Sequence, residues 1–248
     1  MAGNTAVPGT TVTSRVLALL TAFDEQHREL GLSALAERAG LPLSTAHRLV
    51  GELVDGGALV RTPSGGYAVG RRLWDVGLLA PVESDLRRVA EPFLNDVHAA
   101  TRATVHLAVR DDVEVLYLER MTGRASVPVV SQIGSTLPLH CTGVGKVLLA
   151  HAPVDVQRRV LADLRRVTPY TVTQPGLLLQ QLERVRRSGM ATTSEEMTLG
   201  ACSVAVPVRR GDQVVAAVGV VVASLRRDRT RLATALQVAA QGIGRSLG

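Results

Sequence analysis

An α+β chain, with an N-terminal winged helix-turn-helix followed by a larger mixed domain, is expected from three features of these 248 residues. Residues 13–70 carry three helical apolar periods and then two short β-rich runs about a Pro-Ser-Gly-Gly turn. Beyond residue 84, short Val-rich runs alternate with amphipathic stretches of helical period. The chain is 46% hydrophobic with mean hydropathy +0.18, enough to bury the cores of two domains and to exclude disorder.

Residues 1–12 are small and polar and read as a flexible tail. Val16, Leu19, Leu20 and Phe23 then recur at helical spacing, with Thr13 or Ser14 available as N-cap. Ser33 is placed to cap a short helix through Arg38, which turns Leu35 and Ala36 inward, and Gly40 supplies a positive φ for the turn. Pro42 opens the next helix, where its missing N–H costs least. Ala46, Leu49, Val50 and Leu53 form one apolar stripe there, leaving Ser44, Thr45, Arg48 and Glu52 on the opposite face with His47 beside them. Leu59 to Arg61 and Tyr67 to Val69 flank Thr62-Pro63-Ser64-Gly65-Gly66 as strand, turn and strand. Three helices and a hairpin in about 60 residues are the spacing of a winged helix-turn-helix, whose second turn-linked helix enters the major groove of duplex DNA. A small protein-interaction domain would show the same elements. On the DNA reading, Ser33, Ser44, Thr45, His47 and Arg48 face bases or phosphates, and Arg61 and Ser64 of the wing touch the backbone. Arg48 can equally be a solvated arginine and His47 a half-buried packing residue.

Arg71 to Leu79 read as a helix leaving the wing, with Trp74 as a packing anchor, and Pro81 interrupts it. Leu86, Val89, Ala90, Phe93, Leu94 and Val97 mark an amphipathic helix from Ser84 to Thr101. Strands are expected at Thr104 to Val109, Val113 to Arg120, Val127 to Ser131, Met190 to Ser194, Ser203 to Arg209 and Val214 to Ser224. Helices are expected at Gly145 to Ala150, Val154 to Leu164, Leu177 to Ser188 and Arg229 to Leu247. Asp111-Asp112 and Gly211-Asp212 mark hairpin turns, so the sheet should be largely antiparallel.

Composition narrows the function further. Aromatics make up only 2%, too few for a surface that stacks single-stranded bases. The net charge of +6 invites a nucleic-acid reading, yet residues 1–80 hold seven arginines against seven acids. The basic excess therefore lies outside the expected reading head. Val214 to Ala223 is the longest apolar run, well short of the roughly 20 residues a membrane helix needs. With no apolar targeting segment at the N-terminus either, a cytoplasmic protein is expected. Cys141 and Cys202 are too few for a disulfide framework, and reduced thiols are the default.

Gly143-Val144-Gly145-Lys146 has the look of a phosphate loop, but His140 and Val147 occupy the positions where that motif requires Gly and Ser or Thr. The glycines suit a tight turn whose amides point at a ligand, or a plain helix entry. His98, His106, His140, His151 and the cysteines stand at no zinc-ligand spacing, and neither metal nor cofactor is expected. Glu195 and Glu196 are adjacent, so on a strand they point to opposite faces and cannot serve one substrate as acid and base. No enzyme activity is expected.

Four stretches, SRVLALLTAF, LPLSTAHRLVGELVDGGAL, LPLHCTGVGKVLLA and EEMTLGACSVAVPV, resemble the IclR family of bacterial transcriptional regulators across essentially the whole chain. The resemblance implies a winged helix-turn-helix at 13–70, a linker helix at 71–83 and a GAF-like α/β effector-binding domain at 84–248. It implies homodimers that pair into tetramers on double-stranded operator DNA, with either sign of regulation, repressor included. In the family a small organic effector lies between the loop ending in Gly-Lys and the facing strands. That maps onto Val127, Val129, Cys141, Thr142, Gly143, Val144 and Ser203. Where some acid-sensing members place Asp, Cys and two Ser, this chain has Thr193, Ser203, Gly219 and Val221. The implied pocket is less polar, and the implied effector more apolar than glyoxylate or pyruvate, such as an aromatic acid or a hydrophobic catabolite.

Overall fold

A computed structural model describes residues 11–24, 26–77, 84–226 and 228–248. The chain divides into two units between Val82 and Glu83. Residues 1–10 of the expected tail (1–12) and 78–83 of the expected linker helix lie outside the described residues, while Thr11 and Val12 belong to the start of the first helix rather than to a tail.

The first unit runs α1 (Val12–Leu20), β1 (Glu29–Leu30), α2 (Leu32–Arg38), α3 (Leu43–Asp55), β2 (Leu59–Arg61), β3 (Tyr67–Val69) and α4 (Arg71–Gly77). Thr11, not Thr13 or Ser14, caps α1: its Oγ1 accepts the Ser14 N–H at 3.1 Å. Gly31 rather than Ser33 is the N-cap of α2, and Ser33 is an exposed residue of its first turn. The reason is β1, a short strand that the sequence pattern does not announce. It pairs antiparallel with β3, Leu30 opposite Tyr67, and so brings the chain to the helix two residues early. Gly40 has φ +63° at the turn between α2 and α3, the left-handed conformation its position called for. Ala46, Leu49 and Val50 of α3 are buried with Leu19, Leu35 and Leu59 in one apolar core, and Leu53 is half-buried at its rim. Arg38 ties the end of α1 to α2, donating from Nε to the Ala22 carbonyl at 2.7 Å. Trp74 on α4 stands exposed.

The second unit contains α5 (Ser84–Thr101), β4 (Thr104–Asp111), β5 (Glu114–Met121), β6 (Thr136–Pro138), α6 (Gly143–Ala150), α7 (Val154–Ala162), α8 (Pro175–Ser188), β7 (Ala191–Ser194), β8 (Cys202–Arg210), β9 (Gln213–Val222) and α9 (Arg229–Ser246). The strands form one sheet in the order β6-β5-β4-β9-β8-β7, each neighbouring pair antiparallel. Alternation along the strands sends Val105, Leu107, Val218 and Val220 to one face, where they meet Leu94 of α5 and Leu236 of α9. Ala108, Tyr117, Ala205 and Ala217 point to the other, beneath Val144 and Leu148 of α6 and Leu178 and Leu182 of α8. Small residues on the second face let α6 come close to the sheet.

Val127 to Ser131 is not a strand. The edge of β5 is taken instead by β6, which pairs with Glu114 to Leu116 and leaves the upstream β-branched run without a partner. No described helix is long and apolar enough to cross a membrane.

Candidate functional site

In the first unit, α3 turns Ser44, His47 and Arg48 to solvent, while Thr45 is only half exposed because it leans toward the packed side of the helix. Arg48 is held by Glu52 one turn on, guanidinium to carboxylate at 2.5 Å, an exposed i,i+4 pair. Arg61 is exposed on β2. Ser64 at the wing tip donates its proton to the Glu29 carboxylate, which also accepts from Thr62 Oγ1 at 2.8 Å. The Ser64 and Thr62 bonds hold the Glu29 carboxyl below its ordinary range. Ser64 therefore has no hydroxyl proton left for a phosphate in this arrangement, and the wing carries an acid that the sequence reading overlooked. Glu29 lies 35 residues upstream of Ser64; only the β1–β3 pairing reveals the contact.

In the second unit a small cavity, open in part to solvent, lies between the sheet and the start of α6. Its lining includes Val129, Cys141, Thr142, Gly143, Val144, Thr193, Ser203 and Val221, and also His106, Tyr117, Val130, Ser131, Leu137, Met197, Thr198 and Ala201. Val127 and Gly219 stand outside it. An added Cβ at Gly219 would sit 3.0 Å from Val144 Cγ1 and 3.2 Å from Ala205 Cβ, so that glycine is the space α6 packs into and is covered by Val144. Gly143 and Gly145 have ordinary helical φ and make no tight turn. They provide room: a Cβ on Gly143 would collide with Ser203 Oγ, and one on Gly145 with the Leu139 carbonyl and Thr142 Oγ1. Thr142 is the N-cap of α6, its Oγ1 accepting the Gly145 N–H at 3.1 Å.

The cavity is electrically neutral, with no Asp, Glu, Lys or Arg in its lining. Burial, helped by the nearby positive charge of Arg120, holds the His106 pKa down to about 3, so the imidazole is neutral at neutral pH. It is hydrogen-bonded to Ser131 Oγ at 2.8 Å and meets the Tyr117 ring edge-on at 4.9 Å between centroids. Burial likewise raises the Tyr117 phenol. Thr193 and Ser203 share a 2.6 Å hydroxyl bond on the opposite wall. The Cys141 thiol, 3.4 Å from Met197 Sδ, is pushed up to about 12 by burial and then by the charge of Glu196. A thiol so placed is an apolar wall rather than a nucleophile. Cys202 is free as well and lies outside the cavity.

Behind the cavity, Lys146 of α6 reaches Glu196 Oε1 at 2.5 Å and Gln181 Oε1 at 2.7 Å. The two side chains of the ion pair are 1% and 8% exposed. Glu195, at φ +57°, ends β7 and turns the chain into the segment that carries Met197, Thr198 and Ala201 over the cavity. Thr168 and Thr171 hydroxyls donate to the Glu195 and Glu196 carbonyls at 2.6 and 2.7 Å. The ion pair pins one wall of the cavity to α6, and the threonine bonds tie it to the segment between α7 and α8. His106 and Met197 escaped the sequence reading because one sits in an apolar strand and the other in a turn. A histidine inside VHLAV, where burial must be compensated, is the signal that was there to be read.

The profile of the bacterial transcriptional regulator IclR C-terminal domain matches residues 80–245, and that of the IclR helix-turn-helix domain matches residues 12–63. The chain belongs to the IclR family of bacterial transcriptional regulators. Among IclR relatives, the HTH-type transcriptional regulator XynR of Escherichia coli is 32% identical over 241 residues, 94% of this chain and 96% of that protein. The p-hydroxybenzoate hydroxylase transcriptional activator of Acinetobacter baylyi is 33% identical over 77% of this chain and 73% of its own. The crystal structure of an IclR homolog of Microbacterium hydrocarbonoxydans, complexed with 4-hydroxybenzoate, superposes with a TM-score of 0.90 at 35% identity, covering 96% and 99% of the two chains. The Thermotoga maritima IclR structure follows with a TM-score of 0.79 at 28% identity over 96% and 98%. The winged helix-turn-helix of this IclR-family chain is thus a DNA-binding head, and the mixed unit is the family's C-terminal domain.

Proposed function

We propose that this IclR-family regulator binds its operator as a homodimer, assembling further as a dimer of dimers, and that a small aromatic acid in the cavity of the second unit modulates that binding. Arg48 and His47 of α3 read bases or phosphates, with Ser44, Thr45 and Ser33 at the helix starts and Arg61 on the wing beside the backbone. The observation that carries the effector class is the neutrality of the cavity: Val129, Leu137, Val144 and Met197 offer apolar walls to a ring, while His106, Ser131, Thr193 and Ser203 offer uncharged hydrogen bonds at its ends. A homolog that holds 4-hydroxybenzoate and a relative named for p-hydroxybenzoate hydroxylase activation support the same class. The effector shifts the population between DNA-competent and incompetent arrangements. The test is fluorescence anisotropy of the full chain on its own upstream intergenic duplex and a scrambled control at about 150 mM salt, with and without 4-hydroxybenzoate. Preference for the native duplex that the acid changes is the expected result; binding that ignores both sequence and acid would overturn it.

A further inference from the structure

The neutral lining leaves open what would meet the charge of an acid. A guanidinium just outside that lining stands on the same face of the sheet as the cavity. Arg120 of β5 is the direct cross-strand partner of His106 of β4, and side chains opposite one another in an antiparallel pair share a face at about 5 Å between Cβ atoms. His106 lines the cavity, and the charge of Arg120 is near enough to help keep that imidazole neutral. Among the described residues no acid pairs with the Arg120 side chain, and its Nε is buried without a hydrogen-bond partner. The strand that covers β5, β6, ends its pairing at Leu116 and stops short of Arg120. Ser131 reaches His106 instead, so this end of the sheet is closed by a segment with no strand pairing of its own.

A buried guanidinium N–H without an acceptor is an unmade charge-assisted hydrogen bond, and its natural complement is a planar pair of oxygens. We propose that Arg120 receives the carboxylate of the effector, with His106 and Ser131 giving uncharged hydrogen bonds beside it. The assignment rests on the cavity's being the site of an aromatic acid. The start of α6 is the weaker claimant for the same group. A helix N-terminus carries about half a charge, and Thr142 already accepts one of its first amides. Arg120 carries a whole charge on a fork shaped for carboxylate.

Isothermal titration of the full chain with 4-hydroxybenzoate and its uncharged counterpart 4-hydroxybenzamide tests this, on the unaltered protein, Arg120→Gln and Arg120→Lys. The unaltered protein should prefer the acid by about tenfold or more, as a charge-assisted pair does over a neutral one. Arg120→Gln should abolish the preference while keeping the affinity for the amide, which also shows that the variant is folded. Arg120→Lys should fall between the two, keeping the charge without the fork. Equal binding of acid and amide to the unaltered protein, or an undiminished preference in Arg120→Gln, overturns the role of Arg120 while leaving the aromatic site standing. Failure of both compounds to bind the unaltered protein overturns the aromatic site and Arg120's role together. Should Arg120→Gln bind neither compound, Arg120→Lys decides: a preference as large as that of the unaltered protein overturns the proposal, and a reduced one supports it.

Discussion

Removing Lys146 alone should destabilise the second unit in a way that depends on pH, because the residue left behind changes its charge rather than finding water. Lys146 and Glu196 are almost wholly buried and hold each other at 2.5 Å, and Glu196 Oε2 has no hydrogen-bond partner. Burial raises the Glu196 carboxyl and lowers the Lys146 ammonium, each partner opposing the shift of the other. In Lys146→Met the opposition is gone, and the folded state keeps a proton on Glu196 that the unfolded chain releases above 4.5. Folding then loses stability as pH rises above that value, with a slope of at most about 1.4 kcal/mol per pH unit. The sign reverses for Glu196→Gln: burial then favours the neutral amine of a lysine whose ordinary value is 10.5, so the loss is largest at low pH and shrinks as pH rises. Each single variant should lose about 3–5 kcal/mol near neutral pH, the size known for breaking one side of a buried pair. Lys146→Met with Glu196→Leu leaves no charge to neutralise and should recover most of the loss with no pH dependence in this range. Urea denaturation read by hydrogen exchange in β8 and β9 follows the second unit separately. Two single variants with losses under about 1 kcal/mol and no opposed pH slopes would refute the reasoning, since the segment after Glu195 would then simply open and hydrate the survivor.

Three further outcomes are expected. Arg48→Ala should cost about 1–3 kcal/mol of operator binding and relax specificity at one base pair if Arg48 reads a base edge; a uniform loss on all sequences, measured by anisotropy on a set of single-base operator variants, would make it a phosphate contact. Its pair with Glu52 is exposed and worth only about 0.3–0.5 kcal/mol, too little to keep Arg48 from DNA. Gly143→Leu would place carbon on Ser203 Oγ and into the cavity; effector response should vanish while operator binding stays within about twofold, and an intact response would remove the start of α6 from the site. Because residues 1–80 balance seven arginines with seven acids, one of which, Glu29, sits against the wing, each head should make few phosphate contacts. The slope of log K against log salt should be shallower than about −4 per head, and a steeper slope would mean that arginines outside the first unit reach the DNA.

The helices of the first unit, and the helices and five of the six strands of the second, were legible because each has a local signature; β6 was not. Val16, Leu19 and Leu20 repeat at helical spacing. In β9 a continuous apolar run takes the place of in-and-out alternation because both of its faces are covered, by α9 and by α6. Turn chemistry marked Gly40, Asp112 and Gly211, all of which adopt positive φ. Val127 to Ser131 shows the limit of that method: the β-branched pattern was present, but a strand also needs a neighbour, and β6 had already taken the edge.

By itself the sequence determined which segments bury one face, where the chain turns, and, through four motif stretches, which family it resembles. What stands beside what was decided only by the tertiary structure, because contacts between residues far apart in the chain leave no local trace. Ser64 meets Glu29 across 35 positions, Lys146 meets Glu196 across 50, and His106 meets Ser131 across 25. Gly219 and Val144 are both expected to line the pocket, yet the closeness of α6 to the sheet puts one beneath the other. The cavity owes its neutrality to the same cause: packing commits the only lysine to Glu196, behind the wall, and leaves an uncharged histidine in front of it.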